Sequence, residues 1–205
     1  MSPTAFYQPD LLGGSIEYDI GLKDVDCSCN AAFYMVSSPG KYESGVPNPG
    51  PAGDYYCDAN NVGGQWCPEM DLMEANKYAF RMTPHKCDAP SDKDHYFNCD
   101  RGGCGKSIHE VDPNAYGPGG QYRINTNNWF HVKIDFKKEG DRLTAIILTL
   151  GQGSNTVSLQ VADADCSWGY LDAMKGPISS GMTLVSSNWG GPGIDMSWLD
   201  GETGC

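Results

Sequence analysis

Polar and apolar positions alternate along Ser15-Ile16-Glu17-Tyr18-Asp19-Ile20, which is the period of a half-buried strand. Asn30-Ala31-Ala32-Phe33-Tyr34-Met35-Val36-Ser37 is nearly all apolar and reads as a strand buried on both sides. Trp129 to Phe136 alternates again, Lys137 to Asp141 reads as a turn, and Arg142 to Leu150 as its hairpin partner. Thr156 to Val161, Gly181 to Ser187 and Ile194 to Leu199 complete the set, with one short helix expected within Asp163 to Lys175. Residues 1–12 read as an N-terminal arm and 77–84 as a strand or short turn. Residues 38–65 form a long irregular loop carrying Pro39, Pro47, Pro49 and Pro51, and residues 85–120 are again loop-like. Loops of that length are uncommon and usually functional. About eight strands with little helix predict an all-β fold of two packed antiparallel sheets, with a jelly-roll sandwich favoured.

One strand breaks the pattern. Residues 68–76 contain Glu69-Met70-Asp71-Leu72-Met73-Glu74-Ala75-Asn76, three carboxylates interleaved with apolar residues. In a strand, Glu69 and Asp71 point to one face and Met70 and Leu72 to the other. Strict alternation then sends Glu74 to the apolar face, where an unpaired charge is costly. A bulge at Leu72 or Met73 resets the phase and returns Glu74 to the acids. That bulge is predicted, and with it three carboxylates share one concave surface.

Composition narrows the classes. The 205 residues fit one domain, residues 1–205, and the 26 Gly and 13 Pro are spread as turn residues rather than massed. The net charge of −12 disfavours nucleic acid and anionic membrane surfaces as partners, and makes a polyanionic sugar a poor fit unless a basic groove forms locally. No transmembrane run is expected, and Met1-Ser2-Pro3-Thr4 has neither the basic head nor the apolar run of a signal peptide. Nine cysteines without any Cys-x-x-Cys favour a disulfide framework over a zinc site, and hence a secreted protein with one unpaired thiol. Asp92, Asp94 and Asp100 lack the spacing of a calcium loop, so no metal is expected, and no cofactor motif is found. No motif supports Ser-His-Asp chemistry. His95, His109 and His131 read as surface or turn residues, and Asn60 and Asn76 as structural ones.

The acidic strand continues into Thr83-Pro84-His85-x-Cys87. Three acids at this spacing, Ala75-Asn76 and that tail together resemble the catalytic signature of glycoside hydrolase family 7. Further stretches resemble the family in the same order: Tyr7 to Ile20, Cys27-x-x-Asn30 with Tyr34 and Val36-Ser37, Cys99-Asp100-Arg101-Gly102-Gly103-Cys104, Tyr116-Gly117-Pro118-Gly119, Gly181-Met182-x-Leu184-Val185, Trp189, and Trp198-Leu199-Asp200. The resemblance implies a curved β-jelly-roll sandwich and cleavage of β-1,4-glucan by a secreted enzyme, most simply a monomer. The family's long N-terminal portion, with its tryptophan-bearing distal subsites, finds no counterpart here. The region between Cys104 and Tyr116 is shortened, and Met73 stands where cellobiohydrolases often carry Trp. A short open groove and endo action are therefore expected rather than a tunnel.

The resemblance also assigns roles. Glycoside hydrolysis needs one group to protonate the leaving oxygen and another to attack or to activate water. Glu69 is implied as nucleophile and Glu74 as acid/base, with retention of configuration. Their Cα atoms are roughly 13–16 Å apart in an extended segment, so the side chains must converge. Asp71 is implied to bond Glu69, and His85 to sit beside Glu74. Glu74, as the acid, is the group expected to have a raised pKa. Asn30 and Tyr34 are implied as groove residues. Trp189 and Trp198 are candidate sugar platforms on chemical grounds, with core packing as the other reading of each. The implied disulfides are Cys27–Cys205, Cys57–Cys67, Cys99–Cys104 and Cys87–Cys166, leaving Cys29 free.

Other readings stay open at this stage. A related jelly-roll hydrolase could take mixed-linkage glucan or xyloglucan. A polysaccharide lyase needs a Tyr or His base and cations for the uronate, and no Arg/Lys cluster stands near the acids in the sequence. A glycan-binding protein could use the same scaffold without catalysis.

Overall fold

The computed structural model describes residues 2–201 and 203–205, so Met1 of the N-terminal arm lies outside the described residues. In chain order the strands and helices are β1 (Ser15–Ile20), β2 (Cys29–Val36), β3 (Glu69–Ala75), β4 (Phe80–His85), β5 (Lys106–Ser107), α1 (Ile108–Val111), β6 (Tyr116–Gly117), β7 (Ile124–Asn125), β8 (Phe130–Glu139), β9 (Arg142–Gln152), β10 (Asn155–Ala162), α2 (Tyr170–Ser180), β11 (Thr183–Gly190) and α3 (Ser197–Asp200). One sheet runs β11-β2-β3-β4-β5 and the other β1-β8-β9-β10, with antiparallel neighbours throughout. A small parallel pair, β6-β7, stands apart.

The two sheets form a β-sandwich because their inner faces are apolar at alternate positions. Val132, Ile134 and Phe136 of β8 and Val157, Leu159 and Val161 of β10 meet Met70, Leu72, Phe80 and Met82 of the facing sheet in one buried cluster. Each such side chain contributes about 1.5–3 kcal/mol on burial. The other face of β2 is covered as well. Ala32, Tyr34 and Val36 pack with Cys57 and Cys67, whose disulfide closes part of the long loop over this sheet. Both sides of β2 are thus packed in part, with Ala32 and Tyr34 also bordering a groove on the outer face and Ala31 and Phe33 half-buried on the other.

The bulge in β3 is present. Phe33 pairs with Met73 and Tyr34 with Asp71, so Leu72 has no partner on β2. On the other side Asp71 pairs with Thr83 and Glu74 with Arg81, leaving Leu72 and Met73 opposite Met82 alone. Leu72, Met73 and Ala75 all join the inner core, and the phase change frees Glu74 from it. The loss of ladder bonds at one position is offset by keeping a carboxylate out of the hydrocarbon interior.

Several expectations need correction. The helix lies at Tyr170–Ser180 rather than within 163–175, and it accommodates Pro177 in its interior. It begins late because residues 163–167 form turns and Gly169 takes a left-handed φ of 79° just before the first turn. Residues 194–199 are not a strand. Asp195 Oδ1 accepts the Ser197 N–H at 3.0 Å and starts α3 instead. Inside the 85–120 stretch, α1 is held by a capping box between Ser107 and Glu110.

The disulfides Cys27–Cys205 and Cys57–Cys67 are as expected, and Cys29 is free. The other two are exchanged. Cys87 faces Cys99 across an isolated antiparallel bridge and bonds it, and Cys104 reaches Cys166 ahead of α2. Cys99–Cys104 and Cys87–Cys166 are therefore not formed.

Candidate active site

The outer face of the five-stranded sheet carries a groove of about 700 Å³. Glu69, Asp71 and Glu74 all line it, together with His85, Thr83 and Arg81 of the neighbouring β4. Register explains the gathering, since Glu69 pairs with His85, Asp71 with Thr83, and Glu74 with Arg81. Tyr34 of β2, Trp189 of β11 and Trp198 of α3 also reach the groove, as do Tyr56, Asp58 and Asn60 from the covering loop.

Each acid has a different setting. Glu69 is buried, and its Oε2 accepts the Ala59 N–H at 3.0 Å. Burial first, and then the charge of Asp71, push its pKa up, while His85 and the Ala59 N–H oppose the rise. Asp71 is also buried, and its pKa is raised by desolvation and by Asp58. Its Oδ2 lies 2.9 Å from His85 Nε2. Glu74 accepts Asn30 Nδ2 at 3.2 Å and Thr83 Oγ1 at 3.4 Å. Burial and the charge of Asp71 raise its pKa to about 8, against the pull of His85, Arg81 and Asn30. Carboxyls this close and this dry do not ionise independently, so the cluster keeps protons near neutral pH.

The partners of these groups differ in one way from the sequence-based expectation. His85 bonds Asp71 while its charge also bears on Glu74. Among the described residues, Asp71 makes its side-chain contact with His85 rather than with Glu69. His85 Nδ1 lies 2.8 Å from the Asp100 carbonyl oxygen, which can only accept, so Nδ1 carries hydrogen. A single proton is then shared between Nε2 and Asp71 Oδ2.

Asn30 was expected on the groove surface and is instead wholly buried behind it. Its amide nitrogen holds Glu74, and its oxygen accepts the Ala75 N–H at 3.0 Å. It orients the acid and does not line the groove. Tyr34 does line it, with its hydroxyl 3.0 Å from that of Tyr56. Trp189 and Trp198 are 44% and 41% exposed, which sets aside core packing for both. Their rings stack with centroids 6.0 Å apart and planes 23° apart, giving one broad aromatic surface. Asn76 is structural, as expected: its oxygen accepts from Tyr78 and Ala79 N–H and its amide bonds Asp200.

Sequence reading missed the cations. Arg81 pairs with Glu74 in register and lines the groove, although it lies outside the acidic run. Arg101 reaches the same groove from the loop between Cys99 and Cys104, stacked 4.9 Å from the Trp66 ring. No Arg/Lys cluster was expected near the acids from the sequence, and the fold brings these two arginines to the groove. Asp58 was missed too. Its Oδ1 caps the Asn60 and Val62 N–H groups, and its charge bears on Glu69 and Asp71. The signal available was its place beside Cys57, which pins the loop over the sheet.

Fold and site together define an antiparallel β-sandwich with an acidic, aromatic-lined groove on one sheet. The chain belongs to glycosyl hydrolase family 7, whose model matches residues 57–163. Endoglucanase EG-1 of Trichoderma longibrachiatum is 27% identical over 220 residues, covering 93% of this chain and 45% of that protein. The native endocellulase EGI of Humicola insolens superposes with a TM-score of 0.78 at 24% identity, covering 95% of this chain and 60% of the other. An endoglucanase I complexed with cellobiose superposes with a TM-score of 0.77, also at 24% identity. These structural likenesses establish the shared jelly-roll fold. The chain spans about half the length of the curated relatives it matches.

Proposed function

We propose that this chain is a secreted retaining glycoside hydrolase that cleaves internal β-1,4 bonds of a cellulose-like glucan in an open groove. The observation that carries this reading is the gathering of Glu69, Asp71 and Glu74 on one face of β3 by the Leu72–Met73 bulge, inside the groove. Glu69 is the nucleophile. Burial and Asp71 raise its pKa to about 8, the same as for Glu74, so the pKa values do not set the two roles apart. The Ala59 N–H bonded to its Oε2 opposes that rise and holds the carboxylate in place. Glu74 is the acid/base, kept protonated toward pH 8 by burial and by Asp71.

The reaction proceeds in two displacements. In the first, Glu74 donates its proton to the glycosidic oxygen while Glu69 attacks the anomeric carbon. In the second, Glu74 takes a proton from water, which displaces Glu69 from the sugar. Asp71 and His85 share one proton beside Glu69, so negative charge can settle on Glu69 while the pair stays neutral overall. Asn30 and Thr83 hold the Glu74 carboxyl, and Trp189 with Trp198 offers sugar rings a flat apolar surface.

Supporting the glucan as substrate, the matched curated relatives are named endoglucanases. Supporting an extracellular site of action, four disulfides are present among the described residues. Residues 1–205 act as a single catalytic domain, and the protein works as a monomer. The test is release of reducing ends from cellulose, barley glucan and xylan. Activity on the glucans supports the reading. Intact substrates in all three overturn it, and an ultraviolet-absorbing unsaturated product replaces it with a lyase.

A further inference from the structure

We propose that Tyr170 is a positioning residue for the groove: acting from helix α2 through Asp100, it fixes which ring nitrogen of His85 carries hydrogen and so which one faces Asp71. Tyr170 is buried outside the groove and does not line it. Its phenol oxygen nevertheless touches three points around His85. It lies 2.8 Å from Asp100 Oδ2 and 3.1 Å from the Pro84 carbonyl, and it accepts the Lys86 N–H at 3.3 Å. Pro84 and Lys86 are the chain neighbours of His85. With its one hydrogen given to the nearer Asp100 carboxylate, the hydroxyl ties the Lys86 flank of the histidine to the residue whose carbonyl holds its ring.

The Asp100 carbonyl is set by a tight turn. Asp100 N–H donates to Lys86 O at 2.8 Å, and Asp100 Oδ1 accepts the Gly102 and Gly103 N–H groups at 3.2 Å each. Gly103 has a φ of 64° and lies so close that a Cβ there would come within 2.7 Å of His85 Nδ1. The turn therefore lies flat against the imidazole and admits no side chain at that position. The phenol supplies the remaining bond to the Asp100 carboxylate.

The consequence is a definite proton count. With hydrogen fixed on Nδ1, His85 Nε2 can accept from a protonated Asp71 or, once protonated itself, donate to the ionised one. If the Asp100 carbonyl turns away, hydrogen can move to Nε2. The neutral ring then only donates to Asp71 and cannot take its proton. Burial and Asp100 raise the Tyr170 pKa, so its hydroxyl stays a donor over the range in which the groove works.

The test uses the full chain labelled with 15N-histidine, whose four imidazoles are resolved by their long-range 15N–1H couplings. His85 is assigned by the signal missing in His85→Gln. The parent should show the Nδ1–H form, and Tyr170→Phe should move His85 toward the Nε2–H form or an exchanging mixture. Should Tyr170→Phe fail to fold, Asp100→Ser, which keeps one side-chain oxygen for the two glycine amides and leaves none for the phenol, should give the same displacement. An Nε2–H parent, or an unchanged tautomer in the folded variant, overturns the inference. The kinetic part alone rests on the hydrolase reading: kcat on glucan should fall about tenfold with KM unchanged. Absence of cleavage by the parent refutes that reading, while the tautomer result stands or falls without substrate.

Discussion

Asp71 Oδ2 and His85 Nε2 lie 2.9 Å apart, both side chains almost fully enclosed, although His85 is paired in register with Glu69. The contact runs diagonally across two strands and joins the central acid of the triad to a group able to share its proton. Removing the imidazole leaves a buried carboxyl with no partner. His85→Ala should lower stability by about 1–3 kcal/mol, measured by urea unfolding. The loss should be larger at pH 9 than at pH 5, because an ionised Asp71 then lacks any compensating proton. Equal losses at the two pH values would show that the pair is not coupled.

The raised pKa of Glu74 has a definite sign in stability. Its folded value of about 8 exceeds the ordinary glutamate value of 4.5, so the folded state holds a proton that the unfolded chain has released. Stability from this group is full below about pH 4.5 and falls as pH rises toward 8. Glu69 and Asp71 are shifted in the same direction. The urea midpoint of the parent should therefore decline from pH 5 to pH 8, and Glu74→Gln should flatten the decline. A midpoint that rises over this window would contradict the burial argument.

Glu74 as general acid predicts a dependence on the leaving group. Glu74→Gln should slow glucan cleavage by about 10²–10⁴-fold. It should spare the first displacement on a nitrophenyl glycoside, whose leaving group needs no proton. Pre-steady-state release of nitrophenol measures that step, and an equal loss on both substrates would assign the proton to another residue.

Trp189 and Trp198 should act in binding. Replacing either with alanine should raise KM about three- to tenfold, the equivalent of roughly 0.5–1.5 kcal/mol of aromatic contact. Their partial exposure predicts little change in thermal midpoint, and calorimetry beside the kinetics separates the two effects.

Much of this arrangement was legible in the sequence where a strong local rule applied. Alternation placed β1 at Ser15–Ile20, and the cost of burying Glu74 required a bulge where one is found. The errors came where a long-range partner decides the outcome. Ile194 to Leu199 alternates well enough for a strand, but Asp200 is bonded to the Ser28 N–H and to Asn76, which fastens a helical turn there. The short helix was expected within Asp163 to Lys175, yet α2 runs on through Gly176 and Pro177 with Leu171, Met174 and Ile178 packed into the core. Arg81 and Arg101 carry no motif, and only strand register and a disulfide-tethered turn bring them to the groove. Asn30 matched the family pattern, but no pattern reveals that its amide is spent on Glu74 behind the surface.

The assignment of Glu69 as nucleophile can be measured directly. A 2-deoxy-2-fluoro cellobioside with a good leaving group forms the glycosyl–enzyme quickly and hydrolyses slowly, so a retaining enzyme accumulates the covalent species. Intact mass followed by peptide mapping should find one added fluorosugar on Glu69, and Glu69→Gln should acquire none. An unmodified protein after complete exposure, or the sugar on any other residue, would contradict the role given to Glu69.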